Sequence, residues 1–403
     1  MAGDSTALGL ALIVLAGIMA GSFTSALKAL PHWAWENTWI LYSLWGMVIL
    51  PWILAAASVE NLSEVLTGAH PAAYAATILF GASWGMGSVT FGLGTAMVGN
   101  SLGFAIILGM TAALGSVIPL LVLTPDEAGK APGIADFAAL GVAFGGLACL
   151  AWAGTLRERD STGGGGSAAG SRLLPDGHPY EVVFDEELGG SADDSDPAGA
   201  KAGPGGAPAP SSFLLGLGVC VVSGVLSPML NLALTFGSEF KTRAARTGHA
   251  SPAMANNAVW ALAVTAGSAS NLVYCSYLLA TRGTWRLFLR SDGPVDGQTG
   301  CCPACSCLQV RPGSPLQWLW PVAMAALWFG GTVLYGVGAS MMGPLGEELG
   351  WPIFITLMVL TGNVSGYMGG EWTGAPRAAV TWLVVGLLVL TAAAAIIGVG
   401  ASL

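Results

Sequence analysis

Ten times along this chain a run of at least about 20 residues passes with almost no charge. The runs lie near 8–27, 38–58, 72–96, 101–123, 134–154, 212–236, 254–280, 315–341, 351–370 and 378–402. As an α-helix each covers roughly 30 Å, the hydrocarbon thickness of a bilayer. Their hydrophobicity is continuous rather than alternating, which predicts helices and not a β-barrel. Only 9% of the 403 residues are charged, against roughly 25% in soluble domains. A water-soluble fold of this size needs a polar coat that the chain does not supply, so the expected solvent is lipid. The opening "MAGDSTALGL" has no basic segment ahead of its apolar run, so that run reads as a span rather than a cleaved signal.

The net charge of −9 is concentrated in one place. Residues 157–211 carry ten acids and four bases, in a stretch rich in Gly, Ser and Pro that is too polar to bury a core of its own. It reads as a tether dispensable for the main activity. Nothing in the charge pattern suggests nucleic acid. Ten of the fourteen Lys and Arg fall after the first, fifth, seventh and ninth runs, which predicts that this side faces the cytosol. The group Lys241, Arg243 and Arg246 falls on the other side and runs against the trend.

The strongest internal signal is a repeat. "WGMGSVTFGLGTAMVG" from Trp84 aligns with "WFGGTVLYGVGASMMG" from Trp328, and "SLGFAIILGMTAALGSV" from Ser101 aligns with "ELGWPIFITLMVLTGNV" from Glu348. The third run therefore matches the eighth, and the fourth matches the ninth. Shared glycine richness alone explains the glycines, but not a register kept through a helix, a loop and the next helix. An odd number of spans per copy turns the copies upside down relative to each other, a layout used by secondary transporters to open one site to either side. The expected fold is thus all-α and membrane-integral, with ten transmembrane helices as two inverted five-helix repeats. The repeats are 1–155 and 212–403, the linker is 156–211, and a Cys-bearing loop occupies 281–314.

Several segments carry a family resemblance: "KALPHWAWENTWILYSLWGMVILPWILA", "FGASWGMGSVTFGL" with "GNSLGFAIILGMTAALGSVIPLL", "SGVLSPMLN", "NLVYC" and "GGEWTGAPR". Through them the chain resembles the L-rhamnose–proton symporters of the drug/metabolite transporter superfamily. That resemblance implies a ten-helix inverted-repeat fold and uptake of a deoxy-sugar with a proton. A nucleotide-sugar or metabolite exchanger on the same fold is the alternative.

No charge falls mid-run, so a working carboxylate must sit at a helix end: Glu36, Glu347 or Glu371, with Glu348 beside them. Glu36 stands among Trp33, Trp35 and Trp39. Such a cluster reads first as an interface anchor with a solvated acid. The functional reading is that the aromatics stack on a sugar while the acid takes a proton, since an apolar setting favours the protonated form of a carboxylic acid. Lys28 is the expected partner of Glu36. The amides Asn231, Asn256, Asn257, Asn271 and Asn363 offer both donors and acceptors to a sugar, or to neighbouring helices. Trp35, Tyr335 and Trp351 are stacking candidates. The site is expected near mid-membrane between the halves, touching Asn231, Asn256 or Asn257 on one side and the third or fourth run on the other.

Rival classes fare worse. All four histidines lie outside the runs in no paired spacing, and no run interior holds a lysine, which leaves embedded enzymes and retinal proteins unsupported. "CCPACSC" lacks the second ligand pair of a zinc site. No metal, cofactor or nucleic acid is expected; the partners are a small sugar, a proton and the lipid bilayer.

Overall fold

The computed structural model describes residues 2–30, 32–123, 126, 129–163, 210–289, 310, 313–342 and 344–401. Most of the acidic linker and the "CCPACSC" segment lie outside these. Among the described residues every regular element is helical. Eight helical stretches are long and apolar enough to cross a membrane, and two shorter apolar ones, Asn100–Leu114 and Ile353–Met368, lie in the fourth and ninth runs.

The helices are α1 (Ala2–Ser22), α2 (Trp35–Ser43), α3 (Leu50–Ser58), α4 (Leu62–Thr67), α5 (Pro71–Val98), α6 (Asn100–Leu123), α7 (Ala131–Gly163), α8 (Pro210–Leu226), α9 (Met229–Phe236), α10 (Ser238–Arg246), α11 (Asn257–Thr281), α12 (Leu319–Met342), α13 (Pro344–Met368) and α14 (Arg377–Ala401). Two of the expected spans are interrupted, each at a proline. Pro228 separates α8 from α9. Between α2 and α3, Leu44–Ile49 forms a π-turn just ahead of Pro51. Proline has no N–H to give to the carbonyl four residues back, here that of Met47. The Thr265 hydroxyl of α11 donates to that carbonyl at 3.3 Å, and Trp52 Nε1 donates to Thr265 Oγ1 at 2.9 Å. The freed backbone group is satisfied from the neighbouring helix, as a membrane interior requires.

Packing pairs the two halves of the chain. α1 lies along α12 and α13, while α8 lies along α5 and α6. α11 packs on α5, and the α2–α3 stretch packs on α12 as well as on α11. α7 packs on α14, and α6 on α13. Close approach sets the α5–α11 contact, where a Cβ on Gly85 would run into the backbone of Gly267 and one on Gly81 into that of Ala263. Trp84 and Trp328 stack on each other at 5.7 Å with planes 18° apart. The turn from α5 into α6 needs Gly99, whose φ of 91° disfavours any residue with a side chain.

At the end of the bundle shared by α4 and α10, Val65, Phe240 and Ala244 form a small separate core. Arg243 donates from Nε to the Val65 carbonyl at 2.9 Å and from Nη2 to the Glu64 carbonyl at 3.1 Å. One member of the basic group that defied the charge trend, Arg243, is thus engaged in capping the C-terminal carbonyls of α4, where a cation is favoured locally.

Candidate functional site

Chain direction brings the start of α2, the end of α11 and the start of α12 to one end of the bundle, opposite α4 and α10. Trp35, Trp39 and Tyr42 recur at helical spacing and fill the interior, each under 5% exposed. Trp35 stacks on Trp39 at 5.1 Å and meets Tyr274 edge-on at 6.5 Å. Glu36, one residue further round, is carried inward with them and is 0% exposed. This overturns the expectation of a solvated interface acid. The N-terminus of α2 favours its charge, and the segment that follows α11 supplies its polar neighbours. Thr284 Oγ1 donates to Glu36 Oε1 at 2.8 Å, and Arg282 Nη1 stands 3.8 Å from Oε2. Asn37 Nδ2 donates to the Thr284 carbonyl at 3.0 Å, while Asn37 Oδ1 is buried without a hydrogen bond. The Lys28 side chain, expected beside Glu36, lies outside the described residues.

Asn271 sits where α2, α5 and α11 meet. Its Oδ1 accepts from Trp39 Nε1 at 2.8 Å and from Ser88 Oγ at 3.4 Å. Its Nδ2 donates to the carbonyls of Gly85 and Gly267, both at 3.1 Å. Three of these four bonds cross to α2 and α5 and the fourth stays within α11, so the amide is fully occupied in packing.

The other amides scatter. Asn256 precedes α11 and Asn257 begins it, at the end of the bundle and not at its middle; Asn257 Nδ2 donates to Ser58 Oγ at 2.9 Å. Of the three amides expected near mid-membrane, these two therefore lie at a helix start instead. Asn231 is half-buried on α9, just past the Pro228 break. Asn363 is buried on α13, where Nδ2 is tied to its own helix at Val359 and Oδ1 has no hydrogen bond.

Tyr335 and Trp351 do come together. Their rings meet at 5.6 Å and 65°, and Tyr335 stacks on Phe354 at 4.9 Å. Trp351 Nε1 has no hydrogen-bond partner. Glu371 follows α13 and accepts from the Ser101 backbone N–H at the start of α6 at 3.0 Å. Arg157 lies over the adjacent Trp372 ring at 5.0 Å and donates to the Val98 carbonyl at 3.0 Å. The side chain of Glu347 lies outside the described residues. A cavity between α6, α7, α13 and α14, lined by Gly109, Ala143, Thr356 and Leu390 among others, holds none of the candidates.

Sequence reasoning missed Arg282, Thr284 and Asn37. A signal existed: counting spans puts "TRGT" at Thr281 on the same end as "WEN" at Trp35, and a buried acid there needs a cation or hydroxyl from that end.

The architecture and its buried charge pair define a multi-pass integral membrane protein of α-helical class. Comparison with known proteins narrows this. The model of the L-rhamnose-proton symport protein family matches residues 3–165. An L-rhamnose-proton symporter of Pectobacterium atrosepticum is 25% identical over 390 residues, covering 94% of each chain. One from Cronobacter sakazakii is 23% identical and one from Yersinia pestis 24%, each over 387 residues and 94% of both chains. No solved structure matches the chain. The resemblance carried by the quoted motifs therefore holds along nearly the whole length.

Proposed function

We propose that this protein is a secondary-active transporter that moves a deoxy-sugar, L-rhamnose or a close analogue, together with a proton. The observation that carries the reading is the similarity to L-rhamnose-proton symporters across 94% of the chain. It is a carrier and not an enzyme: the buried ionisable groups sit at helix ends, where a change of access alters what they face.

Ten spans in two inverted repeats follow as the architecture of this reading. Support comes from packing that survives exchanging the halves. α12 receives α1 as α5 receives α8, and α13 receives α1 as α6 receives α8. Gly87 abuts Leu226 of α8, and its counterpart Gly331 abuts Ala16 and Ala20 of α1. Trp84 and Trp328, counterparts that touch each other, are placed by this reading on the axis relating the halves.

Glu36 is the coupling acid of this scheme, ahead of Glu371, because it is fully buried and faces the opposite half. Trp35, Tyr335 and Trp351 supply ring faces for the sugar, and Asn231 and Asn363 supply amide contacts. The test is uptake of L-rhamnose into vesicles reconstituted with the full chain. Accumulation should follow an imposed proton gradient and collapse with an uncoupler. Uptake that ignores the uncoupler and requires a counter-substrate would replace symport with exchange. Glu36→Gln should abolish accumulation while sparing exchange of labelled for unlabelled sugar, and accumulation by that variant would return Glu36 to a structural role.

A further inference from the structure

Residues 32–37 form a strap that leads into and begins α2 and lies against the short helical turns Thr284–Phe288 and Pro315–Trp318. Trp33 is wedged edge-on against Phe288 at 5.2 Å and Trp318 at 5.3 Å, and these two rings stack at 5.5 Å. His32 Nε2 lies 3.1 Å from Gln317 Oε1. The polar side of the strap is the set Glu36, Asn37, Thr284 and Arg282. First-half and second-half residues are thus held together at this end by a rim of aromatic rings around one charge pair.

The pair has an uneven geometry. Thr284 holds one Glu36 oxygen by a hydrogen bond, whereas Arg282 approaches the other only to 3.8 Å, an electrostatic contact without a hydrogen bond. Arg282 is itself 21% exposed while Glu36 is 0% exposed. Taking a carboxylate this far from water is costly unless a cation compensates. Among the described residues, Tyr274 and Cys275 of α11 also feel the Glu36 charge, and a phenol and a thiol are ordinarily neutral. Among the described residues, Arg282 is the cation paired with Glu36.

We propose that Arg282 is a positioning residue for the coupling proton and that its attraction to Glu36 latches this end of the protein shut. When Glu36 is charged, Arg282 is held and the strap stays on the 282–288 segment. A proton arriving on Glu36 cancels the attraction, and the strap loses this tie to the 282–288 segment. Thr284 remains able to donate to the carbonyl oxygen of the protonated acid, so it keeps Glu36 oriented in both states. This inference rests on the symport reading above and adds what regulates its proton site.

The experiment is the pH profile of L-rhamnose uptake by the full chain in proteoliposomes. A nearby cation opposes proton binding by an acid, so Arg282→Gln should move half-maximal uptake to higher pH. Arg282→Lys keeps the charge and should restore the wild-type profile in large part. If Arg282→Gln does not yield folded protein, the double variant Glu36→Gln/Arg282→Gln removes both charges. It should fold and exchange sugar with no pH dependence from this pair. A proton-coupled wild type whose profile is unmoved by Arg282→Gln overturns the latch alone, and a double variant that keeps the wild-type profile overturns the latch together with the role of Glu36 as coupling acid. A wild type indifferent to the proton gradient overturns the symport reading and the latch with it.

Discussion

Phe91 and Phe104 in the first half occupy the same repeat positions as Tyr335 and Trp351 in the second. Both pairs meet edge to face, at 5.1 Å and 72° in one and 5.6 Å and 65° in the other. Their surroundings differ. Phe104 is fully buried and presses on Gly362, with Phe91 and Phe23 around it. Tyr335 and Trp351 are only half-buried, and they bring a hydroxyl and an indole N–H where the first half has plain hydrocarbon. Geometry is kept between the copies while chemistry is not. The proposed transport reading gives this difference a use: the second-half rings carry the polar groups that a sugar niche needs, and the first-half rings do not.

The comparison can be broken hardest at the packing that both copies share. Gly85 and Phe329 are counterparts, yet Gly85 lies against the Gly267 backbone and Phe329 is a filled core position. Gly85→Leu is expected to separate α5 from α11 and leave no folded monomer in size-exclusion chromatography. Phe329→Ala should yield a folded but weakened protein, losing about 3–5 kcal/mol in a thermal or denaturant series. Next comes the dry niche. Phe104→Trp should cost about 1–3 kcal/mol through overpacking against Gly362, visible as a lowered Tm. Similar stability losses for Phe104→Trp and Trp351→Phe would mean that the niches do not differ in the way described.

The wet niche is expected to respond in binding rather than stability. Trp351→Phe and Tyr335→Phe each remove one polar handle, worth about 0.5–1.5 kcal/mol, or roughly a 2–10-fold weaker apparent affinity for L-rhamnose, with little change in Tm. Asn231→Ala should behave likewise, and unchanged affinity there would class Asn231 with Asn271. The smallest effect concerns His32. Burial lowers its pKa below the usual 6.5, against a smaller upward pull from Gln317. The unfolded chain then binds this proton more readily than the folded one. The stability His32 contributes is present above pH 6.5 and is lost as pH falls from there toward the lowered value. His32→Gln should flatten that part of a Tm-against-pH curve.

Helix existence was readable because a run of apolar residues has one stable solution in lipid, and the family resemblance was readable in "WAWEN" and "GGEW". What could not be read were the breaks and the pairings. Pro51 announces a disturbance, but only the Thr265 hydroxyl from α11 shows how it is healed. Asn271 and Asn231 look alike as letters; one has four partners across three helices and the other stands beside a helix break. Glu36 was singled out correctly as an acid at a helix end. Its burial depended on Arg282 and Thr284, about 250 positions away.

The π-turn at Leu44–Ile49 also sets the phase of everything before it. Trp35 and Ala55 both face inward, 20 residues apart. In an unbroken α-helix, at about 100° per residue, they would point roughly 200° apart, and one of them would face lipid. One extra residue in a wide turn takes back roughly 100° of that drift. The Glu36 carboxylate is therefore aimed at Arg282 and Thr284 by a surplus residue two to three turns away. Deleting a single residue within 44–49 would restore a regular helix and swing that carboxylate about a quarter-turn or more around the helix axis, with no substitution anywhere near it.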